Sequence, residues 1–124
     1  MIDFTNASFM KLRPVQNQEY LNWITPMFVE GETILGMFQA MRDGVVFTNK
    51  RIIAINVQGL TGKKKDFSSL PYSKIQAFSV ETASTIDLDT ELELWFSGLG
   101  KVKFDFVSNY NIAALCRLIS GFVL

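Results

Sequence analysis

The densest run of like charge in the chain is Lys63-Lys64-Lys65, and Lys50-Arg51 places two further cations at a turn upstream. Clustered ammonium groups attract anionic surfaces, each contributing about 1 kcal/mol at a charged bilayer and fading within a Debye length. The same run also reads as a solvated turn that keeps a strand edge from pairing wrongly. Gly59-Leu60-Thr61-Gly62-Lys63 is too short for a phosphate-binding loop, and no helical pattern follows it. Asp87, Asp89, Glu91 and Glu93 recur at every second residue, so they form a carboxylate row on one face of a strand. Alternate strand residues lie about 7 Å apart along a straight line, whereas calcium sites gather oxygens from a curved loop. The row therefore reads as a solvated face, or as the acidic half of an interface opposite Lys101 and Lys103 of a neighbouring copy. Cys116 falls on an apolar stripe, and with no His in the chain to activate it a buried structural thiol is expected. Nothing pairs two carboxylates in a recognisable pocket, so no catalytic residue, metal or cofactor is expected and the chain reads as non-enzymatic.

Composition narrows the field further. A chain of 124 residues with 48% hydrophobic residues and 11 Phe has the material for one domain and one filled core, which argues against a ligand-carrying interior. Lys+Arg and Asp+Glu are both 12, and a net charge of zero argues against a dedicated nucleic-acid binder. Zero charge with positive mean hydropathy also gives little colloidal repulsion, which favours hiding apolar surface in a homo-oligomer. The single Cys allows no intrachain disulfide. The first residues lack a basic segment followed by an apolar run, and no apolar run approaches the roughly 20 residues of a membrane span, so a soluble cytoplasmic protein is expected.

The elements that must position these groups are mostly strands. Residues up to Val15 carry Phe4, Phe9, Met10 and Leu12 without a clean period, and Pro14 interrupts any regular element. Tyr20, Trp23, Ile24 and Met27 make an amphipathic helical stripe capped by Asn17 and stopped by Pro26, with Trp23 anchoring the helix on the sheet. Thr33 to Arg42 is the first strand, with Leu35, Met37 and Met41 on one face and Ile34, Phe38 and Ala40 on the other, so it is covered on both sides or sits at an interface. Asp43-Gly44 signals a hairpin, Arg51 to Val57 puts Ile53, Ile55 and Val57 on one face, and Phe67 to Leu70 makes a fourth strand. Ile75 to Thr82 follows the break at Pro71, and Ala83 to Ile86 reads as a loop. Residues 87–96 and 102–107 alternate apolar and polar groups, predicting a hairpin through Gly98-Leu99-Gly100 with Phe96 opposite Val102, Leu94 opposite Phe104 and Trp95 opposite Lys103. Ile112, Leu115, Cys116 and Ile119 form a last helix, capped by Ser108 or Asn109 and ended by Gly121.

Seven strands followed by an amphipathic helix is the pleckstrin-homology order. The stretches Val46-Phe47-Thr48-Asn49-Lys50-Arg51-Ile52-Ile53, Gly62-Lys63-Lys64, Pro71-Tyr72-Ser73-Lys74-Ile75 and Ser79-Val80-Glu81 resemble the short bacterial pleckstrin-homology domains, a family long of unknown function. The resemblance implies a mainly β fold, a roll-like barrel closed by the C-terminal helix, and ring-shaped homo-oligomers, a pentamer first. It implies no enzyme. Phosphoinositide-binding eukaryotic relatives carry several cations at the first hairpin, where this chain has only Arg42 beside Asp43, so lipid binding does not carry over with the family.

The expected organisation is an N-terminal extension, residues 1–29, whose helix packs on a PH-like domain of residues 30–124. The expected function is a self-assembling binding module that presents a repeated surface to an unidentified protein, with Met37, Met41, Trp95, Lys101, Lys103, Glu91 and Glu93 as candidate interface residues. The alternative is a membrane-peripheral adaptor in which Lys50, Arg51, Lys63, Lys64 and Lys65 hold anionic lipid weakly.

Overall fold

The computed structural model describes residues 4, 11–82, 89–107 and 111–124, with only the backbone of Ile112. Eight strands, β1 (Arg13–Pro14), β2 (Ile34–Ala40), β3 (Asp43–Thr48), β4 (Arg51–Gln58), β5 (Lys64–Pro71), β6 (Ile75–Glu81), β7 (Thr90–Phe96) and β8 (Gly100–Phe106), are framed by helices α1 (Gln18–Ile24) and α2 (Ile112–Val123). They form two antiparallel meanders, a five-stranded sheet in the order β1-β2-β3-β4-β5 and a three-stranded sheet β6-β7-β8.

The expected PH-like roll forms as two sheets rather than as a closed barrel. Pro71 ends β5 without an amide to donate, and the 3-10 turn Tyr72–Lys74 carries the chain from one sheet to the other. Elsewhere the two sheets meet at one parallel bridge, where the Leu12 amide donates to the Asp105 carbonyl at 2.8 Å and the Val107 amide donates to the Leu12 carbonyl at 2.9 Å. Among the described residues the count is eight, against about seven expected, because Arg13–Pro14 pairs with Gln39 and Phe38. Proline is tolerated there because β1 is an edge strand.

Two apolar layers explain the sequence of β3 and β4, which is apolar on both faces. Phe38, Val45, Phe47, Ile52 and Ala54 point between the sheets, where they meet Leu92, Leu94, Phe104 and Phe106 together with Leu115 and Ile119 of α2. Phe38 lies edge-on to Phe47 and to Phe106, with ring centroids 5.7 and 5.0 Å apart, the arrangement ring quadrupoles favour. Met37, Val46, Ile53, Ile55 and Val57 point the other way and are covered by Tyr20 and Ile24 of α1. The first long strand is therefore covered on both sides over Met37 and Phe38, while Leu35 stays 46% exposed.

Both helix starts follow from Asn side chains. Asn17 Oδ1 accepts the Glu19 and Tyr20 amides at 3.0 and 3.3 Å, and Pro26 confines α1 by forcing a 3-10 turn at Thr25–Met27. Asn111 Oδ1 accepts the Ala114 amide at 3.2 Å and caps α2. Ser108 and Asn109, expected as caps, lie outside the described residues, as do Phe9, Met10, the loop at 83–86, Asp87 and Leu88. Gly121 does not end α2, which continues to Val123. Phe122 then stacks on Tyr72, 4.8 Å between centroids and 12° between planes, pinning the helix end to the inter-sheet turn.

The last hairpin corrects the expected register. Leu94 faces Val102, Leu92 faces Phe104, Glu93 faces Lys103 and Trp95 faces Lys101, so every pair is displaced by two residues. Gly98 and Gly100 take φ of 84° and 91°, which lets pairing continue down to Phe96 and Gly100 across the three residues Ser97 to Leu99. Parity is kept, so the apolar face is as expected.

Candidate functional site

The expected basic cluster is split by the fold. Lys50 and Arg51 stand at the start of β4, whereas Lys63, Lys64 and Lys65 follow its end, so the two groups sit at opposite ends of an eight-residue strand, about 25 Å apart. Arg51 is also committed elsewhere. Its Nε and one Nη donate to the two Glu32 carboxylate oxygens at 3.0 Å each, and the guanidinium also donates to Ser69 Oγ at 2.9 Å and to the Met27 carbonyl at 3.1 Å. Thr48 Oγ1 donates to Glu32 at 2.7 Å, and the Tyr72 hydroxyl donates to the Thr48 carbonyl at 2.7 Å. Burial alone would raise the Glu32 carboxyl, but hydrogen bonds from Arg51, Thr48 and the Val29 amide hold it below the usual carboxylate range. Arg51 is thus a brace for the β3–β4 turn; Lys50 remains exposed beside it.

The other end of β4 is where cations and loops converge. The tight turn is Met41-Arg42, with Asp43 and Gly44 already in β3. The glycine serves packing: a Cβ at Gly44 would lie 2.3 Å from Tyr20 Cε2 and 2.9 Å from the Phe38 carbonyl oxygen. Asp43 turns inward, accepting the Val57 amide at 2.9 Å and Asn56 Nδ2 at 3.2 Å. Arg42 Nη1 donates to the Gly59 carbonyl at 2.6 Å, tying the β2–β3 turn to the β4–β5 loop, and the Tyr20 hydroxyl donates to the Arg42 carbonyl at 2.9 Å. Burial, then the charge of Asp43, pushes that hydroxyl up to about 12. Lys63 and Lys64 are exposed, while Lys65 Nζ lies 4.7 Å from the Trp23 ring centroid, a cation–π contact. An open cleft of about 450 Å³ lies between α1 and this loop, lined by Trp23, Tyr20, Glu19, Arg42, Lys63 and Lys65 among others.

The expected interface residues divide. On the β7–β8 face, Lys103 Nζ lies 3.2 Å from Glu91 and 3.9 Å from Asp105, and Lys101 Nζ lies 3.9 Å from Glu93. Glu91 and Glu93 thus meet cations of the adjacent strand, and Asp105 one of its own strand, and the bond to Glu91 holds the Lys103 ammonium above its ordinary range. Trp95 is half-buried between Ala77 and Lys101 in the ladder. Met37 is buried under α1, its Sδ accepting the Asn17 amide at 3.3 Å. It reaches the surface as part of an apolar groove of about 480 Å³ shared with Val15, Leu21, Ile34 and Leu35. Met41 stands 88% exposed at its turn.

Cys116 is half-buried with Sγ 3.9 Å from Ser120 Oγ, and no group of three metal-ligating side chains occurs among the described residues. Sequence reasoning missed the Glu32–Arg51 brace and the tie between the two loops. The first leaves no local signal across its separation of 19 residues. Nor does the second, an Arg42 side chain on a backbone carbonyl 17 residues away.

Two antiparallel sheets packed over one core, with a C-terminal helix across them and loops meeting at one end, define a PH-like protein. The chain belongs to the bacterial PH domain family, whose model matches residues 3–123. It is 45% identical over 118 residues to the uncharacterized protein YjqA of Bacillus subtilis (strain 168), covering 94% of this chain and 90% of that protein. A second relative from the same organism, the uncharacterized protein YozO, is 40% identical over 68 residues, 55% of this chain and 59% of that one. Among solved structures, a DUF1696 family protein with a pleckstrin-homology domain from Shewanella loihica PV-4 superposes with TM-score 0.80 at 35% identity, covering 93% of this chain and 99% of that one. A pleckstrin homology domain from Shewanella amazonensis SB2B superposes with TM-score 0.66 at 34% identity, covering 89% and 90%. No helix among the described residues is long and apolar enough to cross a membrane.

Proposed function

We propose that this PH-like protein is a non-enzymatic binding module that assembles with copies of itself into a ring and presents the repeated surface to a protein partner. The observation that carries the reading is the outer edge of β2. β1 pairs only with Phe38 and Gln39, so Ile34, Leu35 and Gly36 have no strand outside them among the described residues. Beside that edge lies the groove of Val15, Leu21, Ile34 and Leu35. An open strand edge next to apolar surface is a template for another strand, with main-chain bonds for affinity and the groove for side chains.

A second copy is the occupant we favour because the chain carries a second sheet edge of its own. β6 ends the three-stranded sheet and pairs only with β7 among the described residues. Pairing two different edges of one molecule is heterologous, and such contacts close into rings when the rotation allows. A chain of net charge zero opposes this association least.

The test is solution mass by light scattering at low and high salt. The reading expects a salt-resistant multiple of 14.0 kDa, reduced to the monomer by Leu35→Lys, which charges the groove without touching the buried core. A monomer for the parent chain under both conditions removes the reading.

A further inference from the structure

The cleft between α1 and the β4–β5 loop takes no part in pairing the β2 and β6 edges, and its walls are fastened to one another. Asn17 Nδ2 donates to Gln39 Oε1 at 3.1 Å and the Tyr20 hydroxyl donates to the Arg42 carbonyl at 2.9 Å, which fixes the start of α1 to β2 and its turn. Arg42 Nη1, on the Gly59 carbonyl at 2.6 Å, fixes that turn to the far loop. A concave site of about 450 Å³ is therefore formed before anything enters it, and little ordering remains to oppose association.

The charge on that lining is one-sided, with Arg42, Lys63 and Lys65 against the single carboxylate of Glu19. Lys11, Arg51, Lys101 and Lys103 each hold a carboxylate of their own chain, whereas among the described residues these three cleft cations hold none. Lys65 Nζ has the Trp23 ring at 4.7 Å and one long bond to the Lys63 carbonyl, 3.4 Å. An ammonium can donate several hydrogen bonds, so most of that capacity is unspent. The chain as a whole sums to zero, which makes this a local cationic excess.

We propose that the cleft takes an acidic segment of a partner protein, an extended stretch of Asp and Glu whose carboxylates meet Arg42, Lys63 and Lys65 beside the Trp23 ring. Charge complementarity selects the chemistry, since unpaired cations in a preformed site attract carboxylates and reject basic segments. Concavity selects the shape: a single extended strand fits between α1 and the loop, where a flat surface cannot follow. A second copy has little to offer, because Glu32, Asp89, Glu91, Glu93 and Asp105 already meet cations of their own chain. The inference gives a chemistry to the partner in the proposed function and rests on that reading for there being a protein partner; it does not need the ring.

The experiment titrates fluorescein-labelled decaglutamate with the full chain and follows its anisotropy, reading Trp23 emission alongside in the Trp95→Phe background. Saturable binding is expected, weakening with salt and changing Trp23 emission, while decaglutamine should not bind and free glutamate at matched carboxylate concentration should not compete. Lys63→Glu/Lys65→Glu should weaken binding by about tenfold or more. The charge-matched Lys50→Glu/Lys74→Glu, whose residues lie outside the cleft lining, should leave it within about twofold. An unchanged thermal midpoint certifies the fold of each variant. No binding of decaglutamate overturns the proposal. So does an equal loss in the two double variants, because net charge would then suffice, and so does competition by free glutamate, which would make the site one for small anions. Leu35→Lys should bind with unchanged affinity per chain, so a parent chain that is monomeric yet binds the peptide removes the ring and keeps this inference.

Discussion

Arg51 holds Glu32 through two parallel hydrogen bonds of 3.0 Å, and the Glu32 side chain is wholly shielded from solvent while that of Arg51 keeps 20% of its exposure. A buried carboxylate left without its cation retains the full cost of desolvation, so Arg51→Met should destabilise the fold by about 3 kcal/mol. Because the folded Glu32 carboxyl lies below its ordinary value of 4.5, this contribution is present above that pH and is lost as pH falls through the folded value. Chemical denaturation across acid pH should show the parent chain losing stability there and Glu32→Gln, weaker at neutral pH, losing less. Parallel acid profiles would contradict the assignment.

Gly44 is expected to be intolerant for a different reason. The methyl of Gly44→Ala would meet the Tyr20 ring at 2.3 Å and the Phe38 backbone oxygen at 2.9 Å, and the backbone oxygen cannot swing aside. Displacing α1 from its sheet should cost about 2 kcal/mol or more. In Gly44→Ala/Tyr20→Ala the ring clash is gone, so the two effects should fall short of additivity in urea midpoints.

Tyr20 and Tyr72 make the alkaline limb informative. Burial raises both phenols, Tyr20 to about 12, each with a smaller push from a neighbouring carboxylate, Asp43 for Tyr20 and Glu32 for Tyr72. A group whose folded value is raised stabilises fully below its unfolded value of 10.0 and loses that contribution as pH climbs toward the folded value. Stability should therefore fall from about pH 10 upward, and Tyr72→Phe should flatten the fall while losing about 1 kcal/mol at neutral pH with its bond to the Thr48 carbonyl. Unchanged steepness in Tyr72→Phe would contradict the expectation.

Glu91 and Lys103 answer whether the acidic row belongs to an interface. Their 3.2 Å contact is internal and partly exposed, so Glu91→Lys should cost about 1 kcal/mol or less in stability. Solution mass should be unchanged, and the double reversal with Lys103→Glu should recover part of the loss. A change of mass on reversal would place these residues at an interface.

The alternation of residues 90–96 and 100–106 determined by itself that two strands form and which side chains face the core, because period two is local and needs no partner. It could not choose between registers two residues apart, since such a shift leaves every side chain on its own face; the turn at Gly98 and Gly100 made that choice. Asn17 and Pro26 likewise announced the bounds of α1, whose cap and stop lie within one turn of it. The apolar character of both faces of β3 and β4 was legible, but only the packed structure assigned one face to the sheet-on-sheet core and the other to α1. At the candidate site, Lys63 to Lys65 stood out as a run. That Arg51 serves Glu32, and that Arg42 joins the loops carrying Met41 and Leu60, depended on chain separations of 19 and 17 residues. Hydrogen bonds at such separations leave no local pattern; they exist only once the sheet has brought the two ends of β4 to their neighbours.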